Sequence, residues 1–408
     1  ECGHDEFVPE DDVFDTWATS SLTPLINAGW DWDAEREEFT FENPELYQFD
    51  LRPQGHDIIS FWLFHTVVKC YEHTGEVPFD SVMINGMVLD ENREKMSKSK
   101  GNVVAPDEVV SKFPVDAARY WAAGSAVGDD LPYSEKGLRA GEKLLRKLWN
   151  ASKLVESLTE DAPAEFDHED LTQLDRWLLA SLDREIERLT GRFESREFSK
   201  ARDGLRGFFW HTFCDDYLEI AKQRVREGGD ASAAYTLEVA HRRFLKLFSP
   251  ILAHATEELW HDMYDDGESV HHSGWPEPLG VDADFEAGET AMEVVGALRK
   301  YKSDAKLSMN AELDRVEVWG DVSGFEADIS SVMHVEELET LDERPAVESV
   351  VTGVDLDYSL VGPEFGSQVS AIDDALEAGE YETVDGELHV AGEELDPEMF
   401  EIEEERQY

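Results

Sequence analysis

The stretch from Glu91 to Pro106, ENREKMSKSKGNVVAP, gathers Lys95, Lys98 and Lys100 around Ser97 and Ser99 and then frees the backbone at Gly101. Ammonium groups three residues apart, with hydroxyls alternating between them, are what a mobile loop needs to place donors where charge develops on phosphate oxygens. The chemistry would be nucleotidyl or phosphoryl transfer, with Lys95 and Lys98 as cations and Ser97 and Ser99 as donors. A basic surface loop is the plain alternative.

Other residues that could do chemistry read more modestly by themselves. Asp57 stands before an apolar run and could be a helix N-cap. Trp17 and Trp62 lie on apolar faces and read as core. His56 reads as a satisfied polar residue. His65 and Cys70 fall five apart on one helix, which is no ligand spacing. The chain starts with ECGH, which looks like the second half of a cysteine knuckle. A lone Cys2 cannot hold zinc, which takes about four ligands, so the chain is expected to be the C-terminal part of something longer.

The elements that must position these residues follow from the pattern. HDIISFWLFHTVVKCYEH is apolar all round and predicts a buried helix. FDSVMINGMVLD predicts a strand, a turn at Asn85-Gly86 and a second short strand. Together they suggest part of an α/β nucleotide-binding sheet, whose ligands sit beyond the carboxyl ends of the strands. From Pro106 to about Glu160 the chain is helical, with Ser134 as the N-cap of a long amphipathic helix. After the linker TEDAPAEFDHED, amphipathic segments from Leu171 to about Tyr264 predict a helical bundle. In the tail one more helix, AMEVVGALRKYKSDAKL, precedes the alternating stretches DRVEVWG, SSVMHVEELET and VVTGVDLDYSLV, read as strands. GSQVSAIDDALEAG is helical, and ETVDGELHVAGEEL predicts a hairpin turning at Asp385-Gly386. The expected domains are 1–105, 106–165, 166–280 and 281–408.

Composition sets the bounds. Asp and Glu total 92 against 36 Lys and Arg, for a net charge of -56. That balance predicts a solvated acidic surface suited to concentrated salt, and by sign alone it argues against nucleic acid. Salt near 1 M screens charges within ~3 Å, so an RNA partner stays open. The bases cluster in the middle, as at Arg139, Lys143, Arg146 and Lys147, and at Arg196, Lys200, Arg202 and Arg206. After Lys306 there are 30 acids against Arg315, Arg344 and Arg406. With no apolar run near ~20 residues and three scattered cysteines, the chain is expected to be soluble, cytoplasmic and without a membrane partner.

Lys95-Met96-Ser97-Lys98-Ser99 followed by Gly-Asn resembles the signature loop of the class I aminoacyl-tRNA synthetases. DDVFDTWATSSLTPL and RPQGHDIISFW resemble segments of the valyl members, particularly the archaeal type. GDDLPYSEKGLRAGEKLLRKLWNASKL resembles the stem-contact region, and FCDDYLEIAK and PILAHATEELW resemble the anticodon-binding bundle. The tail is less specific: LVGPEFGSQV resembles a C-terminal motif of isoleucyl-type enzymes, with Glu364 in place of a lysine. The resemblance implies a Rossmann-like catalytic half-domain, an all-α anticodon-binding bundle and a small α+β C-terminal module. It covers about the second half of such an enzyme; the family's His-x-Gly-His motif is absent from the sequence.

What the resemblance implies for residues can be stated one by one. Lys95, Ser97, Lys98 and Ser99 would stabilise the departing pyrophosphate, with Met96 and Lys98 counted among the ATP-binding residues. Gly55 and Asp57 would hold the ATP ribose, and Gly86, Met87 and Val88 would meet adenine through their backbone. Trp17, Ile58 and Trp62 would line a valine pocket. Fit alone discriminates weakly: one methylene is worth roughly 1–3 kcal/mol, a value that comes from the isoleucyl and valyl synthetases themselves and not from this sequence. Hence the family edits in a separate domain, expected upstream of this region. The implied activity is ATP-dependent joining of valine to tRNA-Val, with Mg2+ accompanying ATP and zinc possible only in the full-length protein. The implied partner is the missing N-terminal half, within a monomer from a salt-adapted archaeon. Two rivals remain: a non-catalytic tRNA-binding piece, and an isoleucyl-type enzyme.

Overall fold

The computed structural model describes residues 8–9, 11–264, 267–341, 343, 348–377, 381–384, 387–397 and 399–407. They form two compact units, Glu1–Glu312 with Val322–His334, and Leu313–Asp321 with Val335–Tyr408. Cys2 and the Asp385-Gly386 turn lie outside the described residues.

The first unit begins with two short helices, α1 (Trp17–Ser20) and α2 (Thr23–Asn27), and an antiparallel hairpin of β1 (Trp30–Asp33) and β2 (Glu38–Phe41). Strand β3 (Phe49–Gly55) then runs parallel to β4 (Phe79–Asn85), with Gly55 opposite Asn85 at their carboxyl ends. A parallel pair needs a crossover. Here it is a 3-10 turn at His56–Ile58, a π-helical turn at Ile59–Leu63 and helix α3 (Phe64–Thr74), which stops at Gly75 with φ 77°. The expectation of a buried helix fails here. Only Thr66 and Cys70 of α3 are buried, while Phe64 and Tyr71 are more than half exposed. Cys70 packs with Leu25, Ala28 and Tyr47 on one side; among the described residues nothing covers the other. After Gly86 the chain does not fold back on β4: β5 (Val88–Leu89) pairs in parallel with β6 (Leu131–Pro132).

Helices α4 (Pro106–Lys112) and α5 (Val115–Ala122) lie between those two strands. Helix α6 (Glu135–Leu158) starts as expected, the Ser134 hydroxyl accepting from the Gly137 N–H at 3.2 Å. Then come α7 (Gln173–Glu194), α8 (Phe198–Gly207), a π-helical stretch (Phe208–Tyr217), α9 (Leu218–Gly228), α10 (Ala231–Phe248) and α11 (Ala253–Tyr264). Their core is aromatic: Phe209, Phe213, Phe244 and Phe248 are almost wholly buried, with Phe213 and Phe244 centroids 4.8 Å apart. Helix α12 (Phe285–Asp304) and, after the first strand of the second unit, α13 (Glu326–Met333) complete this unit. Buried Lys302 donates to the Met309, Ala311 and Met333 carbonyls at 2.7–2.9 Å.

In the second unit β7 (Leu313–Trp319) and β8 (Val335–Leu341) pair in parallel, and β9 (Glu348–Leu356) pairs with the last strand. Helices α14 (Tyr358–Phe365) and α15 (Val369–Glu377) are followed by the meander β10 (Tyr381–Val384), β11 (Glu387–Val390) and β12 (Glu393–Leu395), and by β13 (Phe400–Gln407). Two stretches read as strands are half helix. SSVM ends α13 before β8, and DYSLV starts α14 under an Asp357 N-cap, because Asp357 accepts from the Ser359 N–H at 2.9 Å.

Candidate nucleotide site

The signature loop leaves β5 at Asp90 and is tied at its base by a polar bolt. The Asp90 Oδ1 accepts from the N–H groups of Asn92 (2.9 Å) and Glu94 (2.8 Å), and its Oδ2 accepts from Asn102 Nδ2 at 2.7 Å. Asn102 Oδ1 in turn accepts the Ser97 N–H at 2.9 Å. These hydrogen bonds hold the Asp90 carboxyl below the ordinary carboxylate range. Gly101 has φ 68°, a left-handed turn that glycine makes without strain. Neither Asp90 nor Asn102 stood out in the sequence; the only signal was an acid and an amide flanking the lysines.

The loop reaches the end of β3. Lys95 Nζ lies 3.0 Å from Asp57 Oδ2, and this hydrogen bond is the first cause of a lowered Asp57 pKa. The two residues were expected to hold different parts of one nucleotide, and they meet here. Ser97 and Ser99 hydroxyls are 3.2 Å apart, and Lys100 pairs with Glu94 at 3.1 Å. Among the described residues no hydrogen bond or ion pair engages the exposed Lys98 ammonium. Met96 points the other way, onto the cluster of Val109, Phe113, Ala117, Tyr133 and Leu138, where it anchors the loop.

Gly55 and Gly86 sit at the paired strand ends. A Cβ at Gly55 would approach Asp57 Oδ1 to 2.9 Å, and one at Gly86 would approach the Asp129 carbonyl oxygen to 2.0 Å. Met87 donates its N–H to Asp130 Oδ1 at 2.7 Å and its carbonyl accepts from Leu131 at 2.8 Å. Its backbone is therefore engaged, whereas Val88 is exposed at the strand edge. Asp130 also lies 3.9 Å from His56 Nε2, a second acid near the site that sequence reasoning missed.

Trp17, Ile58 and Trp62 are all half-buried. Trp62 lies within the π-helical turn, donates its indole N–H to the Ser20 carbonyl at 2.9 Å, and carries the Arg52 guanidinium 3.7 Å over its ring. Lys69 donates to the Ala18 carbonyl at 2.6 Å. The two bonds dock α1 on the π-helical turn and on the middle of α3, and Trp17 lies against Phe61 with centroids 6.1 Å apart. A π turn widens the helix locally and often marks a functional site. Buried Arg52 and Gln54 keep polar side-chain atoms unpartnered. Cys70 is inert, its thiol pushed up to about 11 by burial. Among the described residues no group of three or more His, Cys, Asp or Glu is placed to hold a metal ion, and no helix is long and apolar enough to cross a membrane.

Residues 1–134 match the family described as tRNA synthetases class I (I, L, M and V), and residues 175–318 match the anticodon-binding domain of tRNA ligase. The chain is 65% identical to a valine–tRNA ligase of Haloarcula marismortui, over 100% of this chain and 45% of that protein. Identity to the valine–tRNA ligase of Methanothermobacter thermautotrophicus is 37%, over 97% of this chain and 46% of that protein. The chain thus spans about half the length of the curated relatives it matches. Among solved structures, the ternary complex of Agrobacterium radiobacter K84 agnB2 LeuRS with tRNA and LeuAMS shares the fold. Its TM-score is 0.54 at 21% identity, covering 67% of this chain and 35% of that one.

Proposed function

The chain belongs to the class I tRNA synthetases, and on that premise we propose that it supplies the carboxyl-terminal working parts of a valine–tRNA ligase. The observation that carries this reading is the Lys95–Asp57 pair, which sets the signature loop against the end of β3. The whole reaction would join the valine carboxylate to the α-phosphate of ATP, release pyrophosphate, and pass the valyl group to the terminal ribose of tRNA-Val. An exposed ion pair is worth roughly 0–1 kcal/mol, so an arriving nucleotide would separate Lys95 from Asp57 at little cost. Asp57, beside Gly55, would then accept from the ribose diol. Lys95, the unengaged Lys98, Ser97 and Ser99 would face the phosphates, whose magnesium would be held largely by the phosphates themselves. Adenine would lie along Gly86, Met87 and Val88, and Trp17, Ile58 and Trp62 would enclose the valine side chain.

The upstream half of the nucleotide fold would cover the side of α3 on which Phe61, Phe64, Val68 and Tyr71 are exposed. It would also bring the family's second phosphate-binding motif. tRNA would lie along the basic clusters of the bundle. The full-length protein would work as a cytoplasmic monomer, and any zinc would involve the region around Cys2. The experiment is amino-acid-dependent ATP–pyrophosphate exchange in high KCl, with this chain alone and with the upstream half supplied. Exchange driven by valine, and only with both halves, supports the reading. Exchange driven by isoleucine instead would overturn the substrate. A second reading, tRNA binding by this chain without activation, is favoured by the basic clusters at Arg139, Lys143, Arg146 and Lys147 and at Arg196, Lys200, Arg202 and Arg206.

A further inference from the structure

Helix α5 stands between the signature loop and the bundle and grips both. On one side Phe113, just before α5, and Ala117 within it belong to the buried cluster on which Met96 and Val104 pack. On the other side Asp116, only 3% exposed, caps a helix remote in sequence. Its carboxylate accepts from the backbone N–H groups of His254 (3.0 Å) and Ala255 (2.7 Å) at the start of α11, and His254 Nδ1 lies 2.8 Å away. One turn on, Arg119 donates from Nε to the Ile251 carbonyl at 3.0 Å and from Nη2 to the Pro250 carbonyl at 2.8 Å. Arg202 of α8 donates to the Tyr120 carbonyl at 3.1 Å. It also occupies the space beside Gly124, where an added Cβ would stand 2.0 Å from Nη1.

Helix caps ordinarily come from the residue next to the helix. Here the acid on α5 takes the free N–H groups of α11 while its neighbouring base takes the carbonyls just before it. The paired directions fix the angle between the two helices as well as their distance. Because the loop packs through Met96 and Val104 on a cluster to which α5 contributes Ala117, a tilt of α11 that moves α5 is carried to that cluster and from there to the lysines. We propose that Asp116 and Arg119 are positioning residues that set the signature loop relative to the bundle, so that tRNA held by the bundle is registered at the loop. The inference rests on the reading above, in which the loop handles phosphate and the bundle holds tRNA.

The test compares two reactions of the complete two-half protein carrying Asp116→Ala, Arg119→Met or Asp116→Glu. Valine-dependent exchange without tRNA is expected to stay unchanged. The kcat for charging tRNA-Val is expected to fall about tenfold, within the usual range of coupling between sites, with KM for tRNA unchanged and partial rescue by Asp116→Glu. Exchange and charging falling together with the melting temperature would overturn the proposal, as would charging left intact. If Asp116→Ala does not fold, Arg119→Met carries the test, since it leaves the cap in place. A wild type without valine-dependent exchange would overturn the underlying reading and this proposal with it.

Discussion

Gly86 shows how little room the candidate site leaves for change. A Cβ there would meet the Asp129 carbonyl oxygen at 2.0 Å and the Asp130 nitrogen at 2.7 Å, so the backbone must move. Gly86→Ala is expected to shift the Asp130 carboxylate off the Met87 N–H, raise KM for ATP, and cost about 1–3 kcal/mol of stability. Exchange kinetics and thermal melting read both, and an unchanged KM would place adenine elsewhere. Ile58 is expected to narrow the pocket between two tryptophans, so Ile58→Thr should loosen selectivity for valine over isoleucine; unchanged selectivity would remove Ile58 from the pocket. At this scale the loop was legible because its residue types are unusual in so acidic a chain. Asp90, Asn102 and Asp130 were not, because single acids and amides carry no periodicity and declare themselves only through partners across the fold.

The helices were the most legible elements, since their apolar periodicity matches what they bury. The stretch HDIISFWLFHTVVKCYEH reads as one helix apolar all round, yet it divides into a 3-10 turn, a π-helical turn and α3, and of α3 only the side holding Thr66 and Cys70 is covered among the described residues. Helix α13 was misjudged because SSVMHVEELET alternates like a strand, yet its first four residues complete a helix that ends at His334 in a left-handed turn. Inside the bundle, His241 joins α6 to α11. Ser152 donates to the Leu148 carbonyl at 2.8 Å and so accepts from His241 Nε2, also at 2.8 Å, and the Tyr264 hydroxyl donates to Nδ1 at 2.6 Å. Burial lowers this imidazole from the ordinary 6.5 to about 3. The unfolded chain therefore takes up a proton that the folded chain refuses. The stability contributed by neutral His241 is complete above 6.5 and is lost as pH falls toward 3, at up to about 1.4 kcal/mol per pH unit. Asp328, raised by burial from 3.8 to about 6, acts in the opposite sense, since the folded state holds its proton more tightly. Comparing wild type with His241→Gln isolates the first effect. Between about pH 7 and pH 5 the wild type is expected to lose more melting temperature than the variant; equal losses would mean that folded His241 accepts the proton.

The molecule as a whole carries a net charge of -56. Carboxylates at this density repel one another across the surface, and only salt shortens the reach of that repulsion, from ~10 Å at 0.1 M to ~3 Å at 1 M. The melting temperature is expected to climb steeply between those concentrations of KCl, and a flat profile would show that repulsion among the carboxylates does not limit the stability of the fold. Charge was legible at a glance, but the division into units was not: α12 and α13 belong with the bundle's unit, while β7 and β8 belong to the second. The chain passes between the units more than once, and sequence patterns read along the chain cannot show that.

The most direct test of the account is the rate of valine-dependent ATP–pyrophosphate exchange by Lys98→Met in the complete two-half protein. Lys98 is the one signature-loop lysine with no partner of its own among the described residues. If it meets charge that develops on the departing phosphates, kcat should fall by about 10²–10³ with KM for valine unchanged. Exchange at the wild-type rate would mean that this loop does not stabilise the transition state, and the proposed site would lose its central residue.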